Sequence, residues 1–218
     1  MSIDQDSTSG NRARGFPGGS GAGGSRLVSV PGAPVKPMLA VTGELPSAAG
    51  WGYEFKWDGV RALADTDGGR LALWARSGVE ITAAYPELAA LARQAEDVLL
   101  DGEVVVLGPD GVPSFTALAE RMHVRDPGRA ARLAAGAPVT YMIFDLLRLR
   151  GAELYRWSYR QRRRALEELG LGGPRWAVPP VFADGRATWA AAGEHGLEGW
   201  WPSGWTRPTA RGRARRTG

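Results

Sequence analysis

The sequence contains no cysteine, which excludes disulfide bonds and metal sites built on thiolate ligands. It has only two lysines, Lys36 and Lys56, among 27 basic residues. The two histidines, His123 and His195, are too far apart in sequence to form a local pair, so we treat both as structural. No glycine-rich phosphate loop ending in Lys-Ser or Lys-Thr occurs, which argues against a P-loop ATPase.

Long apolar stretches are also missing. No run of about 18 apolar residues occurs, so we expect no membrane-spanning helix and no membrane partner. Residues 1–14 lack the apolar segment of a secretory signal. Together with the absence of cysteine, this predicts a cytoplasmic protein.

The rest of the composition suits one globular domain. The chain has 218 residues, of which 44% are hydrophobic, enough for a sizeable core. Residues 1–34 are rich in Gly, Ser and Pro and predict a disordered tail. From residue 35 to residue 199, strand and helix patterns alternate irregularly, which indicates an α+β fold.

Local patterns predict one hairpin and three helices. The hairpin comprises Tyr53–Ala64 and Arg70–Arg76, joined by Asp65–Gly69. The helices run from Pro86 to about Glu96, from Tyr159 to Leu169 with Gly170 closing, and from Asp184 as cap to about Glu194. Four arginines of the second helix either contact DNA phosphates or, as we favour, form a solvated face: Arg160, Arg162, Arg163 and Arg164.

The segment Glu54-Phe55-Lys56-Trp57-Asp58-Gly59-Val60-Arg61 has the residues needed for covalent nucleotidyl transfer. A lysine amine attacks phosphorus only when it is unprotonated, so it requires neighbouring positive charge and partial desolvation. Arg61 is placed to supply such charge. The alternative interpretation is a turn at Asp58-Gly59 with a solvated Lys56.

Further segments match one family in order and spacing. They are Pro37-Met38-Leu39-Ala40, Arg76-Ser77-Gly78, Leu100–Val106 with Asp101-Gly102-Glu103, Tyr141–Leu147 with Phe144, and Leu197-Glu198-Gly199. With the lysine segment, they make the sequence resemble the ATP-dependent DNA ligases of bacterial repair. The resemblance implies a nucleotidyltransferase (ATP-grasp-like) adenylation domain, in which antiparallel sheets are flanked by helices.

The same resemblance implies roles for the matching residues. Lys56 would form a covalent bond to AMP from ATP, which then passes to a nick in double-stranded DNA. The implied nucleotide-binding residues are Glu54, Asp58, Gly59, Arg61, Arg76, Glu103 and Phe144. Phe144 would stack on adenine, although taken alone it is equally a core residue. Glu103 would bind the ribose or the divalent metal, and Glu198 would bind the metal, Mg²⁺ or Mn²⁺. We expect a monomer associated with the nucleoid.

Residues 200–218 differ in composition from the rest, with three of the nine tryptophans, five arginines and no acid. Tryptophan has a single codon, so Trp200-Trp201 is TGGTGG, and one G added before it gives GTG GTG for Val-Val. In that frame the segment can be read VVAKRLDSPYRPG, which resembles the family's fourth motif. We predict that one base is missing near the Gly199 codon. The alternative is a basic, aromatic arm that binds nucleic acid.

The frame change predicts a C-terminally incomplete adenylation domain without an OB-fold. The strand after Glu198 would be lost, because Pro202 cannot donate to a central ladder. We therefore expect this chain to fold poorly or bind ATP weakly, and not to seal nicks. Two other functions stay open, namely an RNA ligase or capping-type nucleotidyltransferase and an inactive nucleic-acid-binding ligase fragment. A standalone ligase and a part of a multifunctional end-joining protein are both compatible with the sequence.

Overall fold

The computed structural model describes residues 50–194, 197 and 199–204. Within that part of the chain the strands are β1 (Trp51–Phe55), β2 (Val60–Asp67), β3 (Arg70–Ala75), β4 (Val98–Val106), β5 (Val139–Leu149), β6 (Ala152–Glu153), β7 (Trp176–Ala177) and β8 (Trp200–Gly204). The α-helices are α1 (Phe115–Ala119), α2 (Pro127–Gly136), α3 (Tyr159–Glu168) and α4 (Gly185–Glu194), and 3₁₀ helices span Thr82–Ala84 and Pro86–Arg93. No helix in this part is both long and apolar enough to cross a membrane.

The strands form two sheets. The larger sheet has the order β3-β2-β4-β5-β6 with antiparallel neighbours, and β7 adds a short parallel pair to β5. The smaller sheet is the antiparallel pair β1-β8. This arrangement confirms the predicted α+β class with antiparallel sheets.

The larger sheet is covered on both faces, which explains the nearly continuous apolar character of β4 and β5. The main core packs residues of β2, β4 and β5 against the 3₁₀ helix Pro86–Arg93 and α3. A smaller cluster on Leu63, Leu99 and Leu147 includes Tyr155. Alternating side chains of each strand therefore serve two different cores.

Most predicted helices are present. α3 begins with a capping box between Ser158 and Gln161, and Gly170 follows it in the left-handed conformation. α4 begins after Asp184, whose carboxylate accepts from two backbone N–H groups. The helix predicted to begin at Pro86 is instead a 3₁₀ helix that ends at Arg93, before the predicted end.

The hairpin prediction is correct for β2 and β3 and wrong in two details. The connection is only Gly68-Gly69, both with positive φ, as a tight two-residue turn requires. The single strand predicted over Tyr53–Ala64 is two strands. The chain leaves β1, passes through Lys56–Gly59 and enters the larger sheet at β2.

The expectation that the strand after residue 198 is lost is also wrong, so the expectation of poor folding or weak ATP binding, which rested on that loss, loses its support. Residues Trp200–Gly204 form β8, whose Pro202 pairs with Tyr53 of β1. β8 has β1 as its partner in a two-stranded sheet, and a proline is tolerated on such an edge strand. The predicted tail 1–34, the segment Pro37–Ala40, His195, Glu198 and residues 205–218 lie outside the described residues.

Candidate active site

Lys56 lies in the connection between the two sheets. Its backbone N–H donates to the Gly199 carbonyl over 2.9 Å. Just before it, Tyr53 exchanges two backbone hydrogen bonds of 2.9 Å with Phe182. The lysine is thus fixed on its N-terminal side by β1, by the 182 segment and by the residue that precedes β8.

Gly59 fixes the other end of this connection. A Cβ atom at this position would lie 2.3 Å from the Val104 carbonyl oxygen, 2.8 Å from Cγ1 of Val105 and 3.0 Å from Cγ of Glu103. Real Cβ atoms do not approach backbone oxygens this closely, so only glycine lets the connection lie directly on β4. This close approach brings the lysine segment against Glu103.

Glu103 lies opposite Arg61 in the pairing of β2 with β4. Burial raises the pKa of Glu103 from 4.5 to about 7, against the lowering effect of Arg61 and Lys56. The negative charges of Asp101 and Asp58 add to the increase. Two cations and three carboxylates therefore share one electrostatic environment around Glu103.

Arg61 is held by two partners. Its Nε and Nη2 donate to the two carboxylate oxygens of Asp101 over 2.6 and 2.8 Å. Its guanidinium carbon lies 4.2 Å from the centroid of the Phe144 ring, within cation–π range. Asp101 is buried whereas Phe144 is only half-buried, so the ring borders the cluster and is not an ordinary core residue.

A model of the family described as ATP dependent DNA ligase domain matches residues 37–175. This chain belongs to the ATP-dependent DNA ligase family. The multifunctional non-homologous end joining DNA repair protein LigD of Mycobacterium tuberculosis strain H37Rv is 41% identical over 168 residues, which are 75% of this chain and 20% of LigD. DNA ligase C1 of Mycolicibacterium smegmatis is 37% identical over 152 residues, 66% of this chain and 42% of that ligase.

Solved structures of DNA ligases share the fold. The ligase domain of M. tuberculosis LigD matches with a TM-score of 0.69 and 35% identity, over 82% of this chain and 57% of that chain. A mycobacterial DNA ligase D complexed with ATP and MES matches with a TM-score of 0.68 at the same identity and coverage. The chain thus spans about a fifth of the LigD protein and little more than half of its ligase domain.

The remaining ligase-motif residues occupy different surroundings. Arg76 is exposed directly after Ala75, which pairs with Ala62, so it lies at the same end of the sheet as Arg61. Glu54 lies on the side of β1 that faces α3, where it accepts a 3.0 Å hydrogen bond from Ser203.

The interpretation of the α3 arginines as DNA-facing or solvated is wrong for two of them. Arg162 and Arg163 are 1% and 3% exposed and form ion pairs with Asp145 and Glu54. Arg164 does lie on the surface, paired with Glu168. A usable signal was present in the sequence, because the buried residues of α3 recur at helical spacing: Tyr159, Arg162, Arg163 and Leu166.

The donors present fit a divalent metal held jointly with a nucleotide. Within the described residues, no three His, Cys, Asp or Glu side chains come together as a ready metal site. Mg²⁺ is normally bound through one or two carboxylates together with substrate phosphates and water. Glu103 offers one such carboxylate beside Lys56, while the second candidate, Glu198, lies outside the described residues.

Proposed function

We propose that Lys56 accepts AMP from ATP as the first step of DNA ligation. The Nζ of Lys56 attacks the α-phosphorus, a nitrogen–phosphorus bond forms, and the bond to the bridging oxygen breaks as pyrophosphate leaves. The observation that carries this proposal is the close packing of the lysine connection on β4, which places Lys56 in the charge cluster around Glu103.

The neighbouring residues have distinct proposed roles in this step. Asp58 holds the geometry of the lysine connection, and Phe144 offers its ring to adenine. Arg61, anchored on Asp101, keeps positive charge beside the ring where phosphate or ribose would bind. Arg76, exposed at the same end of the sheet, is available to the nucleotide or to a nucleic-acid strand.

Glu103 and Glu198 are the proposed ligands of Mg²⁺ or Mn²⁺. When bound, the divalent ion neutralises charge that develops on the phosphate oxygens. Glu103 suits this role because a bound cation would stabilise its carboxylate. Burial raises its pKa to about 7, and a metal would favour the ionised form. We also propose that Glu54, which lies two residues before Lys56, contacts the nucleotide.

For the whole protein we propose sealing of nicks in double-stranded DNA. AMP passes from Lys56 to the 5′-phosphate of the nick, the 3′-hydroxyl attacks that phosphate, and AMP leaves. Both LigD and DNA ligase C1 carry names of DNA ligation or end-joining proteins, which supports DNA over RNA as substrate. Action as a monomer in DNA repair belongs to the same proposal.

Exchange of labelled pyrophosphate into ATP tests the first step, because it reports the reverse of lysine adenylation. We expect exchange in the 218-residue chain with Mg²⁺, loss of exchange in Lys56→Ala, and retention in Lys36→Ala, which removes the other lysine. Exchange that survives Lys56→Ala would contradict the assignment. With the whole protein, a panel of nicked DNA and nicked RNA then separates a DNA ligase from an RNA ligase. Salt-dependent DNA binding with no exchange would instead indicate an inactive fragment.

A further inference from the structure

Two consecutive arginines of α3 are buried and bind different sheets. Arg162 donates from Nε and Nη2 to the two oxygens of Asp145, over 2.8 and 2.7 Å. Its Nη1 donates to the Trp157 carbonyl over 2.7 Å. Asp145 directly follows Phe144 on β5, so Arg162 anchors α3 on the larger sheet next to the proposed adenine ring contact.

Arg163 extends to the smaller sheet. Its Nη1 lies 3.6 Å from Oε1 of Glu54, on β1. Its Nε donates to Glu167 over 2.8 Å, and its Nη2 donates to the Pro179 carbonyl. These two hydrogen bonds hold the guanidinium so that one edge faces the Glu54 carboxylate.

The charge of Arg163 stabilises the buried carboxylate of Glu54. Burial raises the pKa of Glu54, and the increase is opposed first by the hydrogen bond with Tyr159, then by the charge of Arg163 and the hydrogen bond from Ser203. Two of these three stabilising groups, Tyr159 and Arg163, come from α3. Removing the arginine would leave a buried carboxylate with less compensation, which is strongly destabilising for its surroundings.

The position of Glu54 connects this pair to the reaction. The chain crosses from the smaller to the larger sheet only two residues after Glu54, through Lys56–Gly59. We propose that Arg163 is a positioning residue for Lys56: with Arg162 anchored on Asp145, it holds β1 at the distance from the larger sheet that places the lysine connection over Glu103. The effect on catalysis rests on the proposed function, whereas the effect on position does not.

Hydrogen exchange of the Lys56 amide measures that positioning without any activity. Its N–H donates to the Gly199 carbonyl, so a displaced β1 should expose it to solvent exchange. In the full chain we expect Arg163→Met to speed exchange at Lys56 about tenfold relative to wild type, with the amides of Leu100 and Ile143 in the central strands unchanged. Arg164→Met is the matched control, since it alters an exposed pair on the same helix.

Arg163→Lys tests the same point if the methionine variant does not fold. A lysine keeps the charge but cannot hold Glu54, Glu167 and the Pro179 carbonyl at once, so we expect faster exchange at Lys56 of about threefold. Unchanged Lys56 exchange in the folded variants would overturn the proposal. Equal acceleration at Leu100 and Ile143 would also overturn it, because Arg163 would then act only on global stability.

The second readout is the rate of lysine adenylation. We expect Arg163→Met to slow AMP transfer about tenfold at saturating ATP while the Kd for ATP changes less than about twofold. The reason is that the proposed nucleotide contacts of Arg61, Glu103 and Phe144 lie on the larger sheet and stay in place. A weakened Kd with an unchanged rate would contradict a positioning role. If the wild-type chain shows no pyrophosphate exchange, the proposed function fails. The hydrogen exchange rate of the Lys56 amide still tests whether Arg163 positions Lys56.

Discussion

The Glu103 carboxylate should make this fold less stable as the pH rises from acidic to neutral. Burial raises its pKa in the folded protein from 4.5 to about 7. Between these values the unfolded chain has released the proton while the folded chain still holds it. Because the unfolded state then binds fewer protons, the free energy of unfolding falls with increasing pH across this window.

The size of the effect follows from the same two values. The difference between 4.5 and about 7, at about 1.4 kcal/mol for each tenfold change, gives about 3 kcal/mol. Glu103 is half-buried, and solvent screening reduces this to on the order of 2 kcal/mol. A glutamine resembles the protonated acid and has no charge to bury, so Glu103→Gln should be more stable than wild type by this amount above pH 7.

Urea unfolding of both proteins between pH 4.5 and pH 8, without metal, measures the difference. We expect nearly equal stability at the acidic end and a growing advantage of Glu103→Gln that levels off above pH 7. Glu120→Gln, which changes an exposed carboxylate, should differ from wild type by less than about 0.5 kcal/mol throughout. A Glu103→Gln protein no more stable than wild type at pH 8 would refute the reasoning about burial.

Two further substitutions test the packing around the site. Gly59→Ala should lower the free energy of unfolding by about 2 kcal/mol, because its Cβ would meet the Val104 carbonyl oxygen. The control is Gly136→Ala in α2, whose Cβ meets nothing within 4 Å and which should be neutral or stabilising. Chemical denaturation measures both variants. Asp145→Asn should lower the free energy of unfolding by about 3 kcal/mol, because it leaves the buried Arg162 without its anion. Glu168→Gln, in the exposed pair with Arg164, should lower it by less than about 0.5 kcal/mol. Equal losses in the two variants would contradict the burial argument.

Elements whose signals are local in sequence were predictable. The helix over 159–168 has its cap at Ser158 and its stop at Gly170, and the β2–β3 hairpin has its two glycines. The lysine segment likewise has its nucleophile, acid and glycine within four positions. Each of these features depends on neighbours along the chain, which the sequence shows directly.

Features that depend on distant partners were not predictable. The pattern over residues 53–64 contains a turn signal at Asp58-Gly59, but a turn signal cannot show that the chain passes from one sheet to another there. Arg162 and Arg163 were interpreted by their charge, since Asp145 and Glu54 become their partners only when α3 packs on both sheets. The predicted loss of the strand after Glu198 is wrong because a proline excludes a central strand but not an edge strand such as β8.

Location of covalently bound AMP tests the central claim most directly. The purified chain would be incubated with ATP and Mg²⁺, its intact mass measured, and the adduct located by fragmentation, with Lys56→Ala and Lys36→Ala alongside. We predict one AMP on Lys56, retained in Lys36→Ala, absent from Lys56→Ala and lost in acid as a phosphoramidate should be. A folded chain that binds ATP and carries no AMP, or carries it at another residue, would contradict the account.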